Sequence, residues 1–161
     1  MKAFKTIIIL FLVCITYVAC DSKDIEKGNK VVFLRDIPLV EGCQNLKLTD
    51  TEWKLIGFVD VKQEQLKVAE PESERCYRLR FKEDNTLSGI SSTNDITGAY
   101  ETFSNSSIKI TNIGGTEINE LYDGKLYVEC LKNVKTFSIT TKGLALYYDS
   151  NNYLLFKPLK L

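Results

Sequence analysis

Between Tyr77 and Lys82 the chain repeats with a period of two: Tyr77, Leu79 and Phe81 fall on one side, and Arg78, Arg80 and Lys82 on the other. Successive side chains of an extended strand leave opposite faces, so this alternation predicts a strand with one face buried and one in water. Glu83-Asp84-Asn85-Thr86 follows as turn chemistry, because Asp and Asn bond their own backbone and tolerate unusual φ. The same grammar recurs. Trp53, Leu55, Gly57 and Val59 alternate with Lys54, Ile56, Phe58 and Asp60. Short strands are predicted over 87–92, 96–103, 108–113, 136–141, 144–148 and 153–156, with turns at Asn94, Ser104-Asn105-Ser106, Lys142-Gly143 and Asp149-Ser150-Asn151-Asn152. Val31–Val40, with Pro38 near its end, reads as an edge strand or a docked extended segment. Val61–Arg75 is polar around Pro71 and reads as a long surface loop.

One stretch breaks the pattern. After Gly114-Gly115, residues Ile118, Leu121, Tyr122, Leu126, Cys130, Leu131 and Val134 recur at threes and fours, which predicts a helix with Thr116 as N-cap and a division at Gly124. Many short strands and one helix give an α+β, mostly β class: a curled antiparallel sheet or partial barrel packed on that helix.

The N-terminus has a different character. Lys2 and Lys5 precede a nearly all-apolar run over 6–18, short of the roughly 20 residues that span a bilayer but suited to a signal-peptide core. The run ends in Tyr17-Val18-Ala19-Cys20. Ala19 suits ordinary signal peptidase at −1, while Tyr17 fits poorly at −3; an uncleaved anchor helix would be short. A lipobox, in which a small residue directly precedes a cysteine that takes a diacylglyceryl thioether, matches Ala19-Cys20, although Tyr17 departs from the usual leucine. The expected organisation is therefore a signal peptide over 1–19, a tether and N-terminal segment over 20–45 anchored through lipid on Cys20, and a folded domain over 46–161. Asp21, Asp24 and Glu26 suit a solvated linker and resemble the charged export signals of some Bacteroidetes lipoproteins.

Composition narrows the function. Removing 1–19 takes two lysines and no acids, leaving 19 basic against 21 acidic residues, so the chain lacks the basic footprint that neutralises phosphates and no nucleic-acid partner is expected. The sequence contains no histidine, which excludes Ser-His-Asp and Cys-His catalysis and ordinary zinc sites. No catalytic residue, metal ligand or cofactor is expected.

From Trp53 onward the order of features resembles the META domain, the HslJ-type domain of bacterial envelope proteins. Trp53 and Leu55, Leu79 and Phe81, Leu87 and Gly89, Asn94, and Gly98 with Tyr100 follow the first half of its pattern. Ile108 and Ile110, Thr116, Phe137 and Ile139, Leu144 and Leu146, and Leu154 with Phe156 follow the second. The family often carries Met-Ala-Cys after the Thr, where this chain has Glu117-Ile118-Asn119. The resemblance implies a role in the envelope, associated with stress and secretion and with no known reaction.

Cys14 leaves with the leader and Cys20 takes the lipid, which leaves Cys43, Cys76 and Cys130. An oxidising compartment permits one disulfide among them in any of three pairings, or none. In a fold of this kind Cys76–Cys130 is favoured, since a strand start and a packed helix face approach closely. Asp149-Ser150-Asn151-Asn152 suits a hairpin turn better than a calcium loop, because Tyr153 stands where an oxygen ligand is required. Gly114-Gly115-Thr116 could cradle an anion at a helix start but lacks a following lysine. Tyr147, Tyr148, Tyr153 and Phe156 could line a cleft, with about half expected in the core from strand alternation. The expected function is a non-catalytic, monomeric, lipid-anchored envelope protein of one folded domain, with a structural or protein-interaction role. The alternatives are a lipocalin-like carrier of a small apolar ligand and a hydrolase inhibitor acting through Val61–Arg75.

Overall fold

The computed structural model of the chain describes residues 30–116 and 118–160; the leader, Cys20 and the tether before Lys30 lie outside them. The described elements in chain order are β1 (Val31–Phe33), β2 (Glu52–Asp60), β3 (Gln65–Val68), β4 (Arg78–Phe81), β5 (Thr86–Ile90), β6 (Asp95–Thr102), β7 (Ile108–Gly115), α1 (Gly124–Lys132), β8 (Thr136–Thr140), β9 (Gly143–Tyr147) and β10 (Asn152–Pro158). The architecture is the expected one: a curled antiparallel sheet on a single helix.

Two meanders make the sheet. Strands β4 to β7 form one and β8 to β10 the other, and β2 joins them by pairing β4 on one edge and β10 on the other. Short turns allow each meander because neighbouring strands are antiparallel. Asp84 bonds the Thr86 N–H at 3.0 Å, and Asp149 bonds the Asn151 N–H at 2.7 Å and the Asn152 amide, so both Asx sequences serve as turns.

The predicted strand at Tyr77 is present: Tyr77, Leu79 and Phe81 are buried while Arg78 and Arg80 face outward. In β2 the alternation changes phase. The register with β10 shifts between Leu155 and Phe156, so Ile56 is an extra residue in β2. Trp53, Leu55 and Phe58 therefore face the main core, whereas Val59 joins a second cluster with Ile37, Leu66 and Leu155 on the other side of the sheet. The uniform period of two placed Val59 with Trp53; the bulge separates them. Between them Lys54 is 5% exposed, with its amine donating to the Cys76 carbonyl at 2.7 Å; burial pushes its pKa down.

Val61–Arg75 is not a single loop. Residues 65–68 return as β3 against β2, and β1 adds to the outer edge of β3, which bears out the edge-strand reading of Val31. Leu66 supplies the buried side chain that draws this hairpin onto the sheet. The rest of the stretch is clamped, since Glu70 bonds Asp123 through both its N–H and C=O and its carbonyl also accepts the Tyr77 hydroxyl.

The helical expectation needs the largest correction. Gly114-Gly115 does not interrupt β7 but pairs with Thr97 and Ile96 of β6. A Cβ on Gly115 would collide with the Asp95 carbonyl, so the close strand approach requires glycine. Helix α1 begins only at Gly124, with Asp123 as N-cap residue, and Thr116 caps nothing. Ile118, Leu121 and Tyr122 are 60%, 56% and 55% exposed, and only Tyr127, Cys130 and Leu131 of the helix itself, with Val134 just beyond it, supply the buried face. Rather than dividing a helix, Gly124 opens one: a Cβ there would strike the Ser92 hydroxyl and the Glu120 carboxylate.

Candidate functional site

The two ends of the sheet, β7 and β8, meet at one point. Ser107 bridges Thr136, and the Ile108 N–H bonds the Lys135 carbonyl at 2.9 Å. The antiparallel sense of that bridge means that the chain alongside the rest of β7 is the segment preceding Thr136, which is α1. Helix α1 thus runs alongside the terminal strand of the sheet without pairing to it. It packs on β7, and a groove of about 780 Å³ opens between them along the helix from Lys125 to Lys132. Ile96, Ile113 and Val128 give it apolar lining, Gly114 and Gly115 supply the strand-side wall, and Lys125, Glu129 and Lys132 project from the helix at a spacing that shares one face.

The end wall of the groove is the irregular segment after β7. One buried side chain holds it. Asn94 accepts hydrogen bonds at Oδ1 from the Thr116 hydroxyl (2.8 Å) and the Ile118 N–H (2.9 Å), and donates from Nδ2 to the Ile118 carbonyl (2.7 Å) and the Glu120 carboxylate (2.8 Å). All four hydrogen-bonding positions of the amide are used. Glu120 also accepts from the Ser91 hydroxyl at 2.5 Å and the Ser92 hydroxyl at 2.7 Å. Ile118 and Glu120 are thereby held by side chains of the β5–β6 turn and not by a helical ladder, which is why a helical period could be read there and not obeyed.

This network sets the ionisation of Glu120. Burial acts to raise its pKa, but the hydrogen bonds from Ser91, Asn94, Ser92 and Thr93 together outweigh it and hold the carboxyl below its ordinary value. A folded-state value below the unfolded one adds stability that is complete above the unfolded value and is lost as pH falls through the folded one. Protection factors across 118–122, with the intrinsic slowing of exchange in acid divided out, are therefore expected to fall below the usual carboxylate range, and Glu120→Gln is expected to flatten that dependence. Parallel acid profiles in the wild type and the variant would refute the assignment. A carboxylate held below its ordinary pKa is a weak base for the two serine hydroxyls, and the same hydrogen bonds anchor the segment to the sheet.

The cysteines fall elsewhere. Cys43, Cys76 and Cys130 are free thiols, and the Cys76–Cys130 pairing favoured from the sequence is not formed; Cys76 instead donates to the Ser92 carbonyl at 3.4 Å. Burial raises the Cys43 thiol pKa and pushes that of Cys130 up to about 11, leaving both protonated and poorly nucleophilic at neutral pH. The aromatic group divides between two faces: Phe156 lies in the main core and Tyr153 against the second cluster, where its ring meets Tyr147 at 4.9 Å. Between sheet and helix the space is taken by Trp53, Tyr77, Phe81, Tyr127 and Phe156, all fully buried.

A mostly β module with a filled interior and an open groove between its last strand and its helix is the class that this geometry defines. The chain belongs to the META domain family, whose sequence model matches residues 46–160. Two solved structures share the fold. An NMR structure of a protein from Burkholderia xenovorans is 19% identical, with TM-score 0.57 over 77% of this chain and 91% of that one. A crystal structure of a DUF4847 family protein from Bacteroides vulgatus is 15% identical, with TM-score 0.51 over 68% of this chain and 93% of that one. None of the curated proteins matches the chain. The sequence pattern had singled out Asn94 and Thr116 as family positions; the bond between their side chains gives those positions a physical role. The groove itself was missed, since its walls come from separated segments and its only sequence sign was an apolar residue set too long for the helix that forms.

Proposed function

We propose that this chain is a non-catalytic envelope lipoprotein, exported by its leader, held by lipid on Cys20, and acting as a monomer that binds a protein partner through the groove between α1 and β7. The observation that carries this reading is the division of space in the domain. The interior is filled by aromatic rings, while the concavity of about 780 Å³ lies beside an unpaired strand edge and the exposed side chain of Ile118. A carrier of a small apolar ligand needs an enclosed chamber where these rings pack. An inhibitor acting through 61–75 needs a projecting loop, whereas Leu66 is buried and Glu70 is tied to Asp123.

Two measurements test it. The anchor predicts a diacylglyceryl mass on Cys20 and loss of the protein from the membrane fraction in Cys20→Ala; an unmodified, still sedimenting Cys20→Ala chain would remove that half of the reading. For the groove, a photo-crosslinking residue at Lys125 in the host envelope is expected to capture a discrete protein that the same probe at Lys62, on the β2–β3 turn, does not. Equal labelling from both positions, or none from Lys125, would refute the groove as the binding face.

A further inference from the structure

We infer that the partner enters this groove as an extended peptide, adding a short β-strand to the free edge of β7; the inference rests on the groove being the partner-binding face. Strand β7 is the terminal strand of the sheet, and beyond Ile108 its outward edge bonds no other described segment. In an antiparallel pair every second residue directs its N–H and C=O away from its neighbour; the register with β6 shifts between Thr97 and Ala99, where Asn112 stands at φ 54°, so the regular edge that presents main-chain groups toward the groove is the short run 113–115 beyond that bulge. Such groups are matched in register by another peptide backbone, and by few other ligands.

The surroundings suit that occupant. The three residues of regular edge extend about 10 Å, within the roughly 14 Å of the nine-residue helix across the groove. Ile96, Ile113 and Val128 offer apolar contact to alternate side chains of an added strand. On the helix wall Lys125 and Lys132 make no ion pair among the described residues, and with Glu129 between them that wall carries a net charge of +1. An acidic side chain facing Lys125 and Lys132 complements them, while Asp95 at the sheet-side rim and the Glu120 carboxylate at the end wall disfavour one on those sides. A side chain at Gly114 would meet nothing within 4 Å, so this part of the edge is open to a second backbone.

The probe is an acetylated, amidated eight-residue peptide alternating valine with threonine and glutamate, paired with the same peptide N-methylated at every second residue. Methylation removes main-chain donors and keeps the side chains. With the full mature chain, the unmodified peptide is expected to slow exchange of outward amides between Ile113 and Gly115 by at least about tenfold, and the methylated peptide to leave them unchanged. Lys125→Glu with Lys132→Glu, both at exposed positions, is expected to weaken binding about tenfold without altering the thermal transition. Equal binding by the two peptides, or no protection of β7 by either at millimolar concentration, overturns strand addition, because main-chain pairing does not depend on a particular sequence. Those results leave the groove assignment standing if Lys125 crosslinks a partner. Absence of that crosslink, with β7 still protected by the probe, would instead sink the groove's role in the cell.

Discussion

Trp53→Ala is expected to cost about 3–5 kcal/mol, the range for removing a large buried aromatic residue. Trp53 is 0% exposed at the join between the two meanders, and its indole N–H donates to the Leu48 carbonyl at 3.1 Å. Truncation leaves a cavity beside Leu79 and Pro158, its cross-strand neighbours, and also leaves the Leu48 carbonyl without that partner. Domains of this size are stable by only about 5–15 kcal/mol, so the loss would remove a large share of the total. The thermal midpoint is expected to fall by on the order of 10–20 °C. Trp53→Phe, which keeps the ring and loses the donor, should fall well short of that. A midpoint within a few degrees of wild type for the alanine variant would show that the two meanders do not depend on this contact.

Asn94→Ala is the second large effect, and it should be local. The substitution deletes four hydrogen bonds, each worth roughly 0.5–1.5 kcal/mol net, for a total on the order of 2–4 kcal/mol when the more exposed partners regain water. Exchange across 118–122 is expected to quicken by more than about tenfold while the strand core keeps most of its protection. Asn94→Asp should be worse. It loses both donors and sets a second carboxylate against Glu120, whose pKa would rise. Hydrogen exchange with peptide resolution separates these cases; a uniform loss of protection in every strand would mean that Asn94 supports the whole fold rather than the groove wall.

Much of the fold was legible because strand alternation and turn chemistry act over a few residues. Tyr77, Leu79 and Phe81 point inward because the residues between them carry charge, and water must receive that charge whatever surrounds the strand. The turns at Glu83–Thr86 and Asp149–Asn152 close on their own Asp side chains. The family pattern was likewise visible as an ordered set of strand positions, and the META match over 46–160 covers them.

The errors share one cause, which is that a periodic pattern does not record what lies opposite it. Ile56 is an extra residue only relative to β10, so nothing within β2 announces the bulge that moves Val59 to the other face. Leu66 looked like one apolar residue in a polar loop until β2 provided the surface that buries it.

The sequence by itself determined the mostly antiparallel character, the positions of the turns, the paired inward residues of the strands and the lack of histidine chemistry, because each follows from local geometry or composition. Only the tertiary structure decided where the helix begins and that a groove stands beside β7. Ile118, Leu121 and Tyr122 carry a helical spacing, yet Ser91, Ser92 and Asn94, far away in sequence, bind Ile118 and Glu120 to the sheet, and those hydrogen bonds compete successfully with a helix whose apolar face would have had nothing to cover it.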